Sequence, residues 1–435
     1  MTELGETTPT APYGAFIAIL AVLVCVGFFA AHPLPGVTND VTQIVDVAQN
    51  IAAGNGISTD SLYYTEHFAT GRMPAPQTVF PPGQSFLISL AIRSGFDPIA
   101  ASRLIAAIGF LVIPNVLFVV CLRAGVNTQV AVATSILWLC MILAWANTLS
   151  GKSDIPFMGL TMLSTLFLVR TTSPIRNAFL AGIFAAFALS FRYAGLFFMT
   201  AVGITLVIEW IRTRTRHAFV HLCAFSIPSG STAMLIFWRN FNIVGDIKGG
   251  NNYAVNKAVT DIVRNFYRAI SSMMGLDYAR LPSGSIGEWL LLIALFLGVI
   301  LLMKSSRPVR TAISRAGSNR AVFLSLVYPL FTIFMLLILE MQSQPGSRDR
   351  MFMAMMPFAF CFVAKLLQGD GTTSRLKIAF AVVGILSFLL GQANVAEERF
   401  NTPRHDHHWY RMNQLLNTEM EDGPTVKEFL QEQIT

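Results

Sequence analysis

The chain has 435 residues, 54% of them hydrophobic and only 13% charged, and its mean hydropathy is +0.57. Soluble domains carry about 25% charged residues, so this composition excludes an ordinary water-soluble globule. The net charge of +7 does not point to nucleic acid, because the basic residues form short clusters between apolar runs, as cytoplasmic loops of membrane proteins do.

The first apolar run, 13–31, exceeds the roughly 18 residues needed to cross a bilayer core. Glu3 and Glu6 precede it where a signal peptide would be basic, and further spans follow, so an uncleaved first span is expected. A long polar segment, 32–97, comes next. In it Val41, Ile44, Val45, Ala48, Ile51 and Ala52 recur at helical spacing, with Thr38 or Asn39 as start and Gly54 as stop. A second short helix follows Pro81-Pro82, with Phe86, Leu87, Leu90 and Ala91 on one face and Gly95 as terminator. Both are read as amphipathic juxtamembrane helices.

Further spans are expected at 98–121, 128–148, 155–170, 175–191, 194–211, 218–238, 286–303, 321–340, 351–367 and 376–392. The fold class is therefore all-α and polytopic, with about eleven transmembrane helices. The membrane domain covers 13–392, behind a cytoplasmic N-terminus at 1–12, and the tail is 393–435. Lys/Arg asymmetry orients it. One set of connections holds Arg123, Arg170, Arg176, Arg212, Arg214, Arg216, Lys304, Arg307, Arg310, Arg315, Arg320, Lys365, Arg375 and Lys377. The opposite set includes 32–97, where Arg72 and Arg93 are outnumbered by Asp40, Asp46, Asp60, Glu66 and Asp97. The expected topology is N-in and C-out, with 32–97, 239–285 and the tail extracytoplasmic.

Candidate chemistry collects on that outer side. Asp40 lies in the first turn of the first short helix, where the helix dipole favours its ionised form. It is either a general base toward a hydroxyl or a capping residue. Lys152-Ser153-Asp154 occupies an outward turn; Asp154 serves a charged substrate there or caps the next helix. Arg103, Arg192, Arg348 and Arg350 stand at outer helix ends, suited to phosphate or to snorkelling toward headgroups. Tyr63, Tyr64, Glu66 and His67 suit a polar ligand or an interfacial aromatic belt. His405-Asp406-His407-His408 in the tail is not expected to bind metal, since adjacent residues rarely close a site. The five cysteines lie within or at the ends of apolar runs and read as core residues.

In order, "AQNIAAGNG" after Asp40, "FPPGQSFL", "ASRLIAA", "GKSDIPFMGL", "FRYAGL", "WRNFNIVGD" and "SRDRMFMAMMPF" resemble the motifs of the bacterial GT-C glycosyltransferases of the dolichyl-phosphate-mannose protein mannosyltransferase and aminoarabinose transferase type. Two departures stand out: Gln43 and Ile44 follow Asp40 where relatives often carry an acidic or aromatic residue, and only about forty tail residues follow the last span. The resemblance implies inverting transfer of a sugar from a polyprenyl-phosphate donor to a lipid, glycan or protein hydroxyl. Asp40 would be the base, Asp154 would position the acceptor or orient a cation, and Arg192, Arg348, Arg350, Lys152 or Arg103 would neutralise the donor phosphate. No cofactor is required, and a divalent cation stays open. A bacterial inner membrane is the expected location. The alternatives are a transporter or lipid flippase, for which Pro114-Asn115 offers a helix break, and a non-enzymatic scaffold.

Overall fold

The computed structural model describes residues 11–31, 38–61, 70–247, 249, 319–340 and 348–367. The expected spans 286–303 and 376–392, the substrate-loop residues Tyr63, Tyr64, Glu66 and His67, and the histidine-rich tail lie outside them. Helix α1 is Ala11–Ala31, α2 Asn39–Ala53 and α3 Gly83–Arg93. Between α2 and α3, strand β1 (Ser58–Thr59) pairs antiparallel with β2 (Ala75–Pro76). The remaining described helices are α4 (Pro98–Arg123), α5 (Thr128–Leu139), α6 (Ile142–Leu149), α7 (Asp154–Leu168), α8 (Pro174–Phe191), α9 (Gly195–Thr213), α10 (Arg216–Val244), α11 (Arg320–Glu340) and α12 (Arg348–Leu367).

Among the described residues, five helices (α1, α4, α8, α9 and α10) are long and apolar enough to cross a membrane by length and composition, and a sixth span arises if the bent pair α5–α6 counts as one. Sequence and structure agree on the helical character of every other described span. The exception is 128–148, expected as one span and found as two helices bent by 51°. The break falls at Cys140-Met141, and Trp145 Nε1 donates to the Leu139 carbonyl at 2.7 Å, so an indole satisfies a backbone acceptor there. The helix break that a transporter would place at Pro114-Asn115 is absent. Helix α4 runs through it, and Asn115 Nδ2 donates to Leu111 O at 2.8 Å.

Helix α4 is the axis of the bundle, packing on α1, α5, α7 and α12, while α7 packs on α8 and α8 on α10. Glycine sets two of these distances. A Cβ at Gly109 would lie 2.6 Å from Pro156 Cα, and one at Gly182 would overlap the Phe225 carbonyl oxygen. Small residues let helix backbones approach this closely in membranes. The α4–α7 approach fixes the first turn of α7, where Asp154 stands. Of the five cysteines, Cys25, Cys121 and Cys361 are buried as expected, whereas Cys140 and Cys223 are only half-buried.

The two short helices form where the sequence places them, and only α2 departs from its expected pose. Helix α2 starts after Thr38 and stops at Gly54 (φ 90°), as read from sequence. It does not float on a surface, because Val41, Ile44, Val45, Ala48, Gln43 and Asn50 are all buried, packed largely against α3 and α4. Helix α3 inverts the amphipathic rule of soluble proteins. Its polar residues Gln84, Ser85 and Ser89 are buried together with Ile88, while Phe86, Leu87 and Leu90 are 53%, 42% and 46% exposed. An apolar face turned outward beside spanning helices meets lipid rather than water.

The bundle has two chemically distinct ends. At one, Arg320 forms a bidentate pair with Glu209 (2.8 and 2.7 Å), with Nη1 on Leu168 O at 3.2 Å and Nη2 on His221 Nδ1 at 2.9 Å. Asn319 donates to Arg123 O and Lys365 to Gly125 O at the same end. This is the end of the expected basic connections. The other end carries α2, α3, the β-ribbon and the candidate site.

Candidate functional site

Asp154 opens α7, but it is not a helix cap, contrary to the simpler alternative. Ser153 is the capping position and makes no side-chain cap bond. The Asp154 carboxylate instead receives Arg192, 38 residues away, with Nε at 2.8 Å and Nη2 at 2.6 Å, both on Oδ1. The two side chains are 5% and 15% exposed. Breaking a buried pair by removing one partner costs about 3–5 kcal/mol, because the other charge is stranded. Arg192 sits between α8 and α9 in extended backbone, which ends α8. It reaches an anion, not the headgroups that snorkelling would require.

The turn before Asp154 is built from three elements. Gly151, at φ 76°, a conformation that favours glycine, turns its carbonyl toward α3 and α4. Gln84 Nε2 donates to it at 2.9 Å and Ser102 Oγ at 2.7 Å, and Gln84 Nε2 also meets Ser102 Oγ at 3.1 Å. A Cβ at Gly151 would lie 2.8 Å from Ser102 Oγ and 3.2 Å from the Arg103 backbone nitrogen, so Arg103 starts from the wall of this turn. The Lys152 backbone closes α6 by donating to Asn147 O at 3.0 Å. Gly83, next to Gln84, abuts the Ser190 carbonyl, where a Cβ would come within 2.5 Å. Thus α3 wedges between the turns that carry Asp154 and Arg192.

Tyr193, beside Arg192, is anchored separately. Its hydroxyl donates to Thr78 O at 2.7 Å and accepts from Asn240 Nδ2 at 2.7 Å. Arg239 Nη1 donates to Gln77 O at 2.7 Å, and Gln43 Nε2 donates to Gln77 Oε1 at 2.6 Å. Segment 77–78 therefore joins α2, α10 and the α8–α9 turn.

The structure brings together Asp154 and Arg192, with Lys152 and Arg103 at the same turn. Asp40 is on a neighbouring helix, half-buried in the first turn of α2, whose Ile44 carbonyl accepts from Ser85 Oγ of α3 at 2.8 Å. Capping at α2 falls to the Thr38 position, which makes no side-chain cap bond. Arg348 and Arg350 lie in the first turn of α12, a helix whose Met353 sulfur receives Asn147 Nδ2 at 3.6 Å. Among the described residues no cluster of three or more metal-ligating side chains occurs. Sequence reasoning did not single out Gln84, Ser102, Tyr193 or Asn240. Each stands inside one of the quoted motif segments, and that was the available signal.

Residues 80–231 match the family described as dolichyl-phosphate-mannose-protein mannosyltransferase. Curated protein sequences give no match. Among solved structures, ArnT from Cupriavidus metallidurans bound to undecaprenyl phosphate superposes at TM-score 0.56 and 13% identity, over 91% of this chain and 67% of that one. The oligosaccharyltransferase of Archaeoglobus fulgidus in its apo form superposes at TM-score 0.54 and 12% identity, over 93% and 60%. The chain thus spans about two thirds or less of the length of these neighbours. The family match covers the Asp154–Arg192 pair, and the chain is similar in fold to both of these membrane proteins.

Proposed function

We propose that the protein transfers a sugar from a polyprenyl-phosphate donor to the hydroxyl of a lipid, glycan or protein acceptor, with inversion, on the extracytoplasmic face of a bacterial inner membrane. The observation that carries this reading is the buried Asp154–Arg192 pair inside the matched segment 80–231. Guanidinium has five N–H donors in a planar fork. Asp154 takes one from Nε and one from Nη2, and the others are suited to a phosphate oxygen. Undecaprenyl phosphate bound to the ArnT of the first superposition supports a lipid phosphate as the leaving group here.

In the proposed reaction the Asp40 carboxylate takes the acceptor's hydroxyl proton. The acceptor oxygen bonds to the anomeric carbon as the bond from that carbon to the phosphate oxygen breaks. The electron pair leaves with the polyprenyl phosphate. That group departs as an anion, so it needs positive charge rather than a proton, and a preorganised guanidinium provides it without reorganisation. Arg192 has this role, with Lys152, Arg103, Arg348 and Arg350 as further positive charges toward the phosphate. Asp154 orients Arg192 and borders the acceptor. The reaction is written with no cofactor.

Asp40→Asn, inserted in membranes and supplied with labelled lipid-linked sugar, tests the base. Loss of transfer in a normally folded protein is expected, by a factor of about 100 to 10,000 for a general base; undiminished transfer sinks the role. Among the described residues, the bent α5–α6 pair favours a transporter, since broken helices bind substrates in that class. Its Leu139 carbonyl already accepts from Trp145. Substrate crossing vesicles with no glycoside formed would nonetheless establish transport.

A further inference from the structure

We infer that Tyr193 is a positioning residue that couples the Asp154–Arg192 pair to the helix carrying Asp40. This rests on the function proposed above. Asp40 and the Asp154–Arg192 pair belong to elements distant in sequence, and inverting transfer needs their separation held to within about 1 Å. A continuous chain of contacts does this. Gln43, three residues after Asp40 on α2, donates to the Gln77 side chain at 2.6 Å. The next residue, Thr78, offers its carbonyl to the Tyr193 hydroxyl at 2.7 Å. Tyr193 is bonded through its backbone to Arg192, whose guanidinium holds Asp154.

The chain is rigid at each joint. Gln43 and Gln77 are buried at 0% and 1% exposure, so their amides meet in a dry site. The Tyr193 hydroxyl uses its only proton on Thr78 O and accepts from Asn240, itself fully buried, which fixes the rotor. The Tyr193 ring stacks on Phe237 with centroids 6.3 Å apart, and the Thr78 side chain donates to Gly249 O at 2.9 Å. Arg239 clamps Gln77 O from α10. Segment 77–78 therefore cannot shift without α2, α10 and the α8–α9 turn shifting together. A local packing role would explain one of these bonds. It does not explain why a single dipeptide receives donors from α2, α10 and the α8–α9 turn at once.

Tyr193→Phe keeps the ring and its stacking and removes only the hydroxyl. The expected result, in purified protein with a labelled polyprenyl-phosphate sugar, is a fall in kcat of about tenfold or more with KM for the donor changed less than about threefold, per mole of monodisperse protein. Gln43→Met cuts the same chain at its other end. The Tyr193→Phe/Gln43→Met double variant should be no slower than the slower single variant, because residues in one network are non-additive. Full kcat in Tyr193→Phe, or losses that multiply in the double variant, would overturn the coupling. If Tyr193→Phe does not fold, Gln77→Met paired with Gln43→Met is read by the same rule. Should Asp40→Asn and Asp154→Asn also retain full transfer, the proposed function fails; should they be inactive while Tyr193→Phe is fully active, the coupling alone fails.

Discussion

At the scale of single residues, the consequential finding is that two groups legible separately as a cap and a snorkelling cation are one ion pair. Asp154→Asn should cost stability as well as transfer, because it strands the Arg192 charge in a site only 15% exposed, at about 3–5 kcal/mol. Arg192→Lys should keep the charge and lose the fork. Thermal unfolding in detergent should therefore show Asp154→Asn well below Arg192→Lys, with both reduced in transfer. Equal melting of the Asn variant and the parent would mean the pair is not a buried one. Asp46 offers a pH test outside the spans. Burial pushes its carboxyl above the ordinary 3.8 and the nearby Asp60 charge adds to this, while hydrogen bonds from Thr59 and from the Asp60 and Ser61 backbones oppose it. The folded state thus holds this proton more tightly than the unfolded chain does. Its contribution to stability is fully present below 3.8 and lost as pH rises through the raised folded value. Across that window the melting temperature of Asp46→Asn should vary less with pH than that of the parent.

At the scale of elements, close approach and inverted amphipathicity shape the site. The α8–α10 contact depends on a missing side chain at Gly182. Gly182→Ala should destabilise by about 1–3 kcal/mol, the usual cost of overpacking, and reduce the yield of monodisperse protein in detergent. An unchanged melting temperature would show that the helices separate freely. Helix α3 shows why polarity alone misleads at a membrane. Its face of Phe86, Leu87 and Leu90 is the outer one, and its buried Gln84 and Ser85 tie the turn before Asp154 to α2. The periodic pattern identified the helix correctly. It could not say which side faced the protein, because lipid and protein interior both accept apolar groups.

At the scale of the whole molecule, the two ends of the bundle separate the basic connections from the candidate site. At one end Arg320 bonds Leu168, Glu209 and His221, Asn319 bonds Arg123 and Lys365 bonds Gly125, and Asp154, Arg192 and segment 77–78 lie at the other. The positive-inside rule then predicts opposite accessibility. A cysteine introduced at exposed Ser94 in a cysteine-free background should react with a membrane-impermeant maleimide added outside intact cells. One introduced at Thr171, between Arg170 and Arg176, should react only after the membrane is opened. The reverse result would invert the topology and the face on which transfer is proposed.

What the sequence determined by itself is what one-dimensional patterns encode. Apolar run length marks the spans, Gly54 marks a helix limit, and Lys/Arg spacing groups the connections by side. The order of short motifs pointed to the GT-C family, since order survives where each piece is loose. Only the tertiary structure decided which partners these residues take. Asp154 meets Arg192 from 38 residues away, and the Thr78 carbonyl meets Tyr193 from 115 residues away. Helix α4 crosses Pro114 unbroken while 128–148 bends at Cys140-Met141. The physical reason is common to all three. A backbone carbonyl or carboxylate in a dry bundle must find a donor, and which donor is near depends on how helices pack, information that no local stretch of sequence contains.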